Sequence, residues 1–200
     1  MPFDPQSHHR RSIRLPGYDY TQPGAYFVTV VTWQREELFG QVVSGEMHLN
    51  DFGRIAREEW LKTAALRSNV ALREDEFVVM PNHVHGVVWI VDEGESLVGA
   101  QRRCAPTENR APTKDHVPIG RLVASSIPAI IRAYKSAVTY RINALREMPG
   151  TPLWQRNYYE HIVRDDKEFW AIVNYIHDNP LNWQEDQENP AFLSVKKFHS

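Results

Sequence analysis

The chain has 200 residues, 42% of them hydrophobic, and a formal charge of −2. That is enough for one domain with its own core, and the near-neutral charge gives no global sign of nucleic-acid binding. No apolar run approaches the roughly 20 residues of a membrane-spanning helix, no signal-peptide pattern opens the chain, and Cys104 as sole cysteine excludes an intrachain disulfide and suits a reducing, cytoplasmic compartment.

Residues 1–24 read as an irregular basic arm. Pro2, Pro5, Pro16 and Pro23 break regular structure, while His8, His9, Arg10, Arg11 and Arg14 suit either contact along DNA or a disordered leader. Residues 25–33 are apolar on both faces and rich in β-branched and aromatic side chains, as a central strand requires. Residues 46–50 are expected to pair with it. Asp51 is then placed to cap a helix through about Leu66, with Phe52, Ile55, Ala56 and Trp60 on its inner stripe.

Two strands follow, at about 71–80 and 84–91, joined at Pro81-Asn82. Residues 92–118 mix Gly, Pro, Thr and charge with neither helical nor strand period, and read as a flexible insertion. A long helix is expected over 126–147, tolerating Pro128 in its first turn, with Ile130, Ile131, Tyr134, Val138 and Ile142 facing inward. From Gly120 to Asn157 the chain carries a local excess of five positive charges, which can pair with phosphates or simply solvate a helix face. A strand at 158–163 and a last helix complete a domain over 25–185, and 186–200 form a tail. Trp183 and Phe192 are expected to pack back on the domain.

Chemistry concentrates in two stretches. In Met80-Pro81-Asn82-His83-Val84-His85, strand alternation projects His83 and His85 to one face, where two imidazoles can chelate one divalent ion. That pair alone is weak, since such histidines often sit on a solvated sheet. The second stretch is the final helix, which Asp165 or Asp166 can cap and Pro180 ends. Phe169, Ile172, Val173 and Ile176 form its apolar stripe. Tyr175 lies off that stripe with Asn179 as its i+4 neighbour, so a phenol and an amide could lie over the histidine face.

These blocks, with Gly17-Tyr18-Asp19-Tyr20, Tyr26-Phe27-Val28-Thr29, the run 131–139, and Trp154-Gln155-Arg156-Asn157-Tyr158-Tyr159-Glu160-His161, resemble the one-tyrosine HUH transposases. They are most similar to the REP-associated tyrosine transposase branch, over about residues 10–185. The resemblance implies an α+β, ferredoxin-like or RRM-like antiparallel sheet, with helices on one face, the histidines on a central strand and the tyrosine helix over their face. It implies a divalent metal, magnesium or manganese, held by His83, His85 and Asn179, whose amide stands where relatives carry a third ligand.

On that pattern Tyr175 is the nucleophile, forming a 5′-phosphotyrosine and freeing a 3′-hydroxyl in single-stranded DNA beside a hairpin. Arg132, Lys135, Trp154 and Arg156 are the candidate DNA contacts, although core packing is the commoner role for a tryptophan such as Trp154. Tyr158 and Tyr159 are rival nucleophiles, one on each face of their strand. The resemblance implies a cytoplasmic, nucleoid-associated protein without membrane contact and leaves a homodimer open. A binding module for hairpin DNA or RNA without chemistry, and a metal hydrolase using water, are the alternatives. The hydrolase is disfavoured because no further Asp, Glu or His stands at a recognisable ligand spacing around the triplet.

Overall fold

A computed structural model describes residues 18–91 and 126–192. Most of the expected basic arm, the whole 92–118 insertion and the end of the tail lie outside the described residues. The described part is an α+β structure built on one antiparallel sheet. Its strands are β1 (Gly24–Val31), β4 (Val70–Ala71), β5 (Phe77–Val79), β6 (His83–Ile90) and β7 (Tyr159–Val163). In space β6 and β1 are central, β7 flanks β1, and the short β4 and β5 together occupy the far side of β6. Taking β4 and β5 as one interrupted strand, the order is that of the ferredoxin-like βαββαβ unit. The helical turn Glu74–Glu76 makes the interruption, where a continuous strand over 71–80 was expected.

Both central strands are buried at every position, so their alternation sorts residues between two covered faces. Tyr26, Val28, Val30, Val84, Val88 and Ile90 point to one face. There α1 (Asp51–Ala65) and α2 (Ile127–Leu145) pack, bringing Ile55, Ala56 and Trp60, and Ile130, Ile131, Tyr134, Val138 and Ile142. Gly86 belongs to this face. A Cβ there would collide with the Trp60 ring, so the glycine lets Trp60 lie against the strand and stack on Phe77 at 4.6 Å. Ala25, Phe27, Val87, Trp89 and Val163 point the other way, under Phe169, Ile172, Val173 and Ile176 of α3 (Asp166–Asp178).

Two local expectations need correction. Residues 46–50 do not pair with β1: β3 (Glu46–Leu49) pairs with β2 (Gly40–Val43) in a separate hairpin. The two residues between them, Ser44 and Gly45, both have positive φ (53° and 80°), as a tight hairpin turn requires. The cap of α1 is Asn50, not Asp51: its side chain accepts from the Gly53 amide. For α3 the cap is Asp165, accepting from the Glu168 amide. Among the described residues no helix is long and apolar enough to cross a membrane.

Candidate metal and tyrosine site

Thr29, His83 and His85 break the apolar pattern on the α3 face of the central strands. His83 opposes Val31, and His85 opposes Thr29, in the β1–β6 register. Both histidines are fully buried, and their rings stand 4.4 Å apart between centroids. Thr29 Oγ1 lies 2.8 Å from His85 Nδ1. Asn82 Nδ2 donates to the carbonyls of Glu188 (2.7 Å) and Arg35 (3.2 Å), which leaves its Oδ1 to accept from His83 Nδ1 at 2.8 Å. With that proton on Nδ1, His83 Nε2 carries a free lone pair. The same division, one ring nitrogen tied to a neighbour and the other turned inward, orients a metal-ligating histidine.

The helix α3 delivers the other groups. Its apolar stripe docks on the sheet and leaves Tyr175 at the edge of the contact, half-buried, with Oη 3.2 Å from His85 Nε2. Phe27 packs against both rings, stacked on His85 and edge-on to Tyr175. Asn179, just past the last turn, is buried. Its Nδ2 donates to Asp186 Oδ2 at 3.1 Å. Asp186 Oδ1 accepts from the Glu188 amide, and Oδ2 stands 4.0 Å from His83 Nε2. Ligand atoms of His83, His85 and Asp186 lie within 4.8 Å of one another.

Two buried atoms here, His83 Nε2 and Asn179 Oδ1, have no hydrogen-bond partner among the described residues. Both are acceptors, with the Asp186 carboxylate, a third, beside them. Three electron-rich atoms facing one another call for a cation, so this donor set fits a divalent metal. Burial pushes His83 below the ordinary imidazole range, against the opposing pull of Asp186 and Asn179, and Arg35 lowers it further. The ring is thereby kept in the neutral form that a metal requires.

Asp186 was not foreseen from the sequence. It lies beyond the last helix, in the stretch read as tail, after the turn Trp183–Glu185 whose buried tryptophan packs 6.0 Å from the His83 ring. No linear spacing to the histidines announces it. The Asp–Gln–Glu–Asn sequence at 186–189 does suggest a turn, and Glu188 and Asn189 are both buried in it. Trp183 packs back as expected.

Tyr158 and Tyr159 face opposite sides as alternation required. Tyr158 packs against the α1/α2 core and donates to Glu160, whereas Tyr159 joins the α3 face near Phe27, its phenol pushed up to about 12 by burial. The proposed DNA contacts do not gather at the histidines. Arg132 is exposed on α2, which covers the other face. Lys135 donates to the carbonyls of Gln155 and Arg156, and Trp154 is buried against Phe39 and Tyr134. Arg156 is exposed ahead of β7. Of the remaining cations in that run, Arg141 is neutralised by Glu58 and Glu59.

No protein-family model matches the chain. A Haemophilus influenzae protein described as uncharacterized is 37% identical over 180 residues, covering 90% of this chain and 93% of its own. From the same organism, a putative REP-associated tyrosine transposase is 21% identical over 164 residues, covering 82% and 73%. The fold matches the solved structure of a REP-associated tyrosine transposase bound to a REP hairpin, with TM-score 0.52, 19% identity and coverage of 83% of this chain and 72% of that one. The chain shares the fold of that transposase and has a distant sequence likeness to a curated one. Histidines on a central strand and a tyrosine helix across their face are what the resemblance implied.

Proposed function

We propose that the chain is a metal-dependent endonuclease and strand transferase for single-stranded DNA beside hairpins, acting through Tyr175. One observation carries the reading: the Tyr175 hydroxyl meets the inward nitrogen of His85 on the face where His83, Asn179 and Asp186 converge. A relative of the same fold is held with a REP hairpin, which supports hairpin DNA as the substrate. His83, His85 and Asp186 would hold magnesium or manganese, with the Asn179 amide oxygen as a fourth donor; when bound, the ion would supply positive charge at the scissile phosphate.

The chain's own residues do the rest. Thr29 and Asn82 fix the two imidazoles in one orientation. Phe27 and the α3 stripe hold the phenol at the rim, half-buried, where a backbone phosphate can reach it. In the cleavage step the bond from Tyr175 Oη to phosphorus forms and the bond from phosphorus to the 3′-oxygen breaks. The phenol loses its proton and the departing 3′-oxygen gains one. The bond energy stays in the phosphotyrosine link, so a 3′-hydroxyl can reverse the step without a nucleotide cofactor. Exposed Arg132 and Arg156 suit phosphate contact, whereas Lys135 and Trp154 brace the segment that presents Arg156.

The test is a labelled hairpin oligonucleotide with single-stranded flanks, incubated with manganese and run on a denaturing gel. Wild type should yield label that migrates with protein and is released by protease. Tyr175→Phe should yield none while melting as wild type does, since its hydroxyl is at the edge of the helix contact. Nicking without adduct would mean water is the nucleophile, and an adduct that persists in Tyr175→Phe would move the role to Tyr159.

A further inference from the structure

The corner that follows β1 is shaped in a way that the metal and tyrosine chemistry does not use. Gln34 and Arg35 are consecutive non-glycine residues with positive φ, 54° and 59°. Such conformations cost on the order of 1 kcal/mol or more each and persist only where the surroundings over-determine them. Here they do. The Trp33 amide donates to Leu153, Thr32 Oγ1 donates to the Glu36 carbonyl, and the Arg35 carbonyl accepts from Asn82. Arg35 Nε also donates to Glu188 at 2.8 Å.

This strained turn leaves Trp33 43% exposed. Its indole has no aromatic partner among the described residues, unlike the buried Trp60, Trp89, Trp154 and Trp183. The Arg35 side chain is 37% exposed, and its terminal nitrogens are unpaired among the described residues. The corner is also wired to the site. The Asn82 side chain that binds the Arg35 carbonyl is the one that orients His83. Glu188, which holds Arg35, follows Asp186 by two residues and is bonded to it. An exposed ring and a forked cation two residues apart, on a turn bonded to the Asn82 and Glu188 that adjoin the proposed site, match the stacking face and phosphate partner that single-stranded nucleic acid needs.

We infer that Trp33 and Arg35 form a nucleotide clamp at the rim of the site, Trp33 stacking on a base next to the scissile phosphate and Arg35 engaging a neighbouring phosphate. The clamp deepens the proposed function by assigning positioning residues to the same site, and it rests on that reading for its substrate. Base stacking tolerates any sequence, so the clamp is testable without the cognate hairpin.

The probe is fluorescein-labelled (dT)16, followed by anisotropy with EDTA present so that no chemistry occurs. Trp33→Ala should weaken binding about tenfold, within the range of one lost base–aromatic stack, and Trp33→Phe should restore it to within about threefold of wild type. The paired variant Arg35→Gln with Glu188→Gln removes the cation without stranding the carboxylate, and should flatten the salt dependence of binding by about 0.7 in log–log slope, one phosphate contact. Unchanged affinity in Trp33→Ala overturns the clamp, as does equal weakening in Trp33→Phe, or a wild type that does not bind (dT)16. The parent reading fails separately: (dT)16 binding through Trp33 with no Tyr175 adduct would keep the clamp and remove the nucleophile.

Discussion

The two faces of the central strand pair are made from the same backbone and serve opposite ends. Toward α1 and α2 the strands present Tyr26, Val28, Val30, Val84 and Val88, and the helices answer with aliphatic and aromatic side chains. Toward α3 the same strands present an apolar end, Ala25, Phe27, Val87 and Trp89, and a polar end, Thr29, His83 and His85. The first face is apolar, and its one unpaired buried side-chain atom among the described residues is the Trp60 indole N–H. The second buries acceptors that the described side chains leave unpaired, a cost that a protein built for stability alone would avoid. The difference locates the candidate site: one face holds the sheet together, and the other gathers buried acceptors that fit the proposed cation.

The largest effect that separates the faces is expected from Trp60→Ala. Trp60 is almost wholly buried, stacked on Phe77 and edge-on to Tyr134 at 5.3 Å. Its loss should cost roughly 3–5 kcal/mol of stability, toward the lower end because its indole N–H has no partner to lose. Urea unfolding measures that loss. Manganese affinity of the folded fraction, followed by calorimetry below the transition, should stay within about twofold of wild type, because no ligand touches this face. A large change in affinity would mean the two faces are mechanically coupled.

Asp186→Asn should do the reverse. The substitution keeps the shape and removes the only carboxylate near the histidines among the described residues. Manganese affinity should fall by more than the roughly ten- to hundredfold typical of losing a ligand's supporting partner, while the urea midpoint without metal moves little. Asn179→Ala separates the two candidate third ligands. If Asn179 ligates directly and Asp186 only orients it, the alanine variant will lose as much affinity as Asp186→Asn.

The same contrast explains what could be read from the sequence. The apolar face was legible because burial imposes a period: the stripes of α1, α2 and α3 and the alternation of β1 and β6 all appear as repeats of 3.6 or 2. His83, His85 and Tyr175 were legible for the same reason, as polar residues at positions where the period fixes a direction. Asp186 and the Trp33–Arg35 corner were not. They sit in turns, where side-chain direction follows from backbone dihedrals and long-range hydrogen bonds and not from spacing. The hairpin of β2 and β3 was misassigned because a short strand's partner is set by its turn, and the positive φ at Ser44 and Gly45 folds β3 back on β2 before it can reach β1.

The smallest expected effect is a dependence of stability on pH that only the histidine face should show. Burial holds His83 below its ordinary value of 6.5 in the folded chain, whereas the unfolded chain titrates near that value. Between the folded value and 6.5 the unfolded state therefore binds more protons, so stability rises with pH across that window. Read downward, the contribution is intact above 6.5 and is lost as pH falls through the window, at about 1.4 kcal/mol per unit of depression. Urea midpoints at pH 7.5 and 5.5 should thus differ more for wild type than for His83→Gln, which keeps a polar side chain against Asn82 and cannot take the proton. Adding manganese should steepen the wild-type difference, since protonation must then also displace the ion. Trp60→Ala should lower both midpoints while leaving their difference as in wild type. If His83→Gln and wild type respond equally to acid, His83 is not held neutral by the fold, and the cation that its unpaired nitrogen calls for could be a proton.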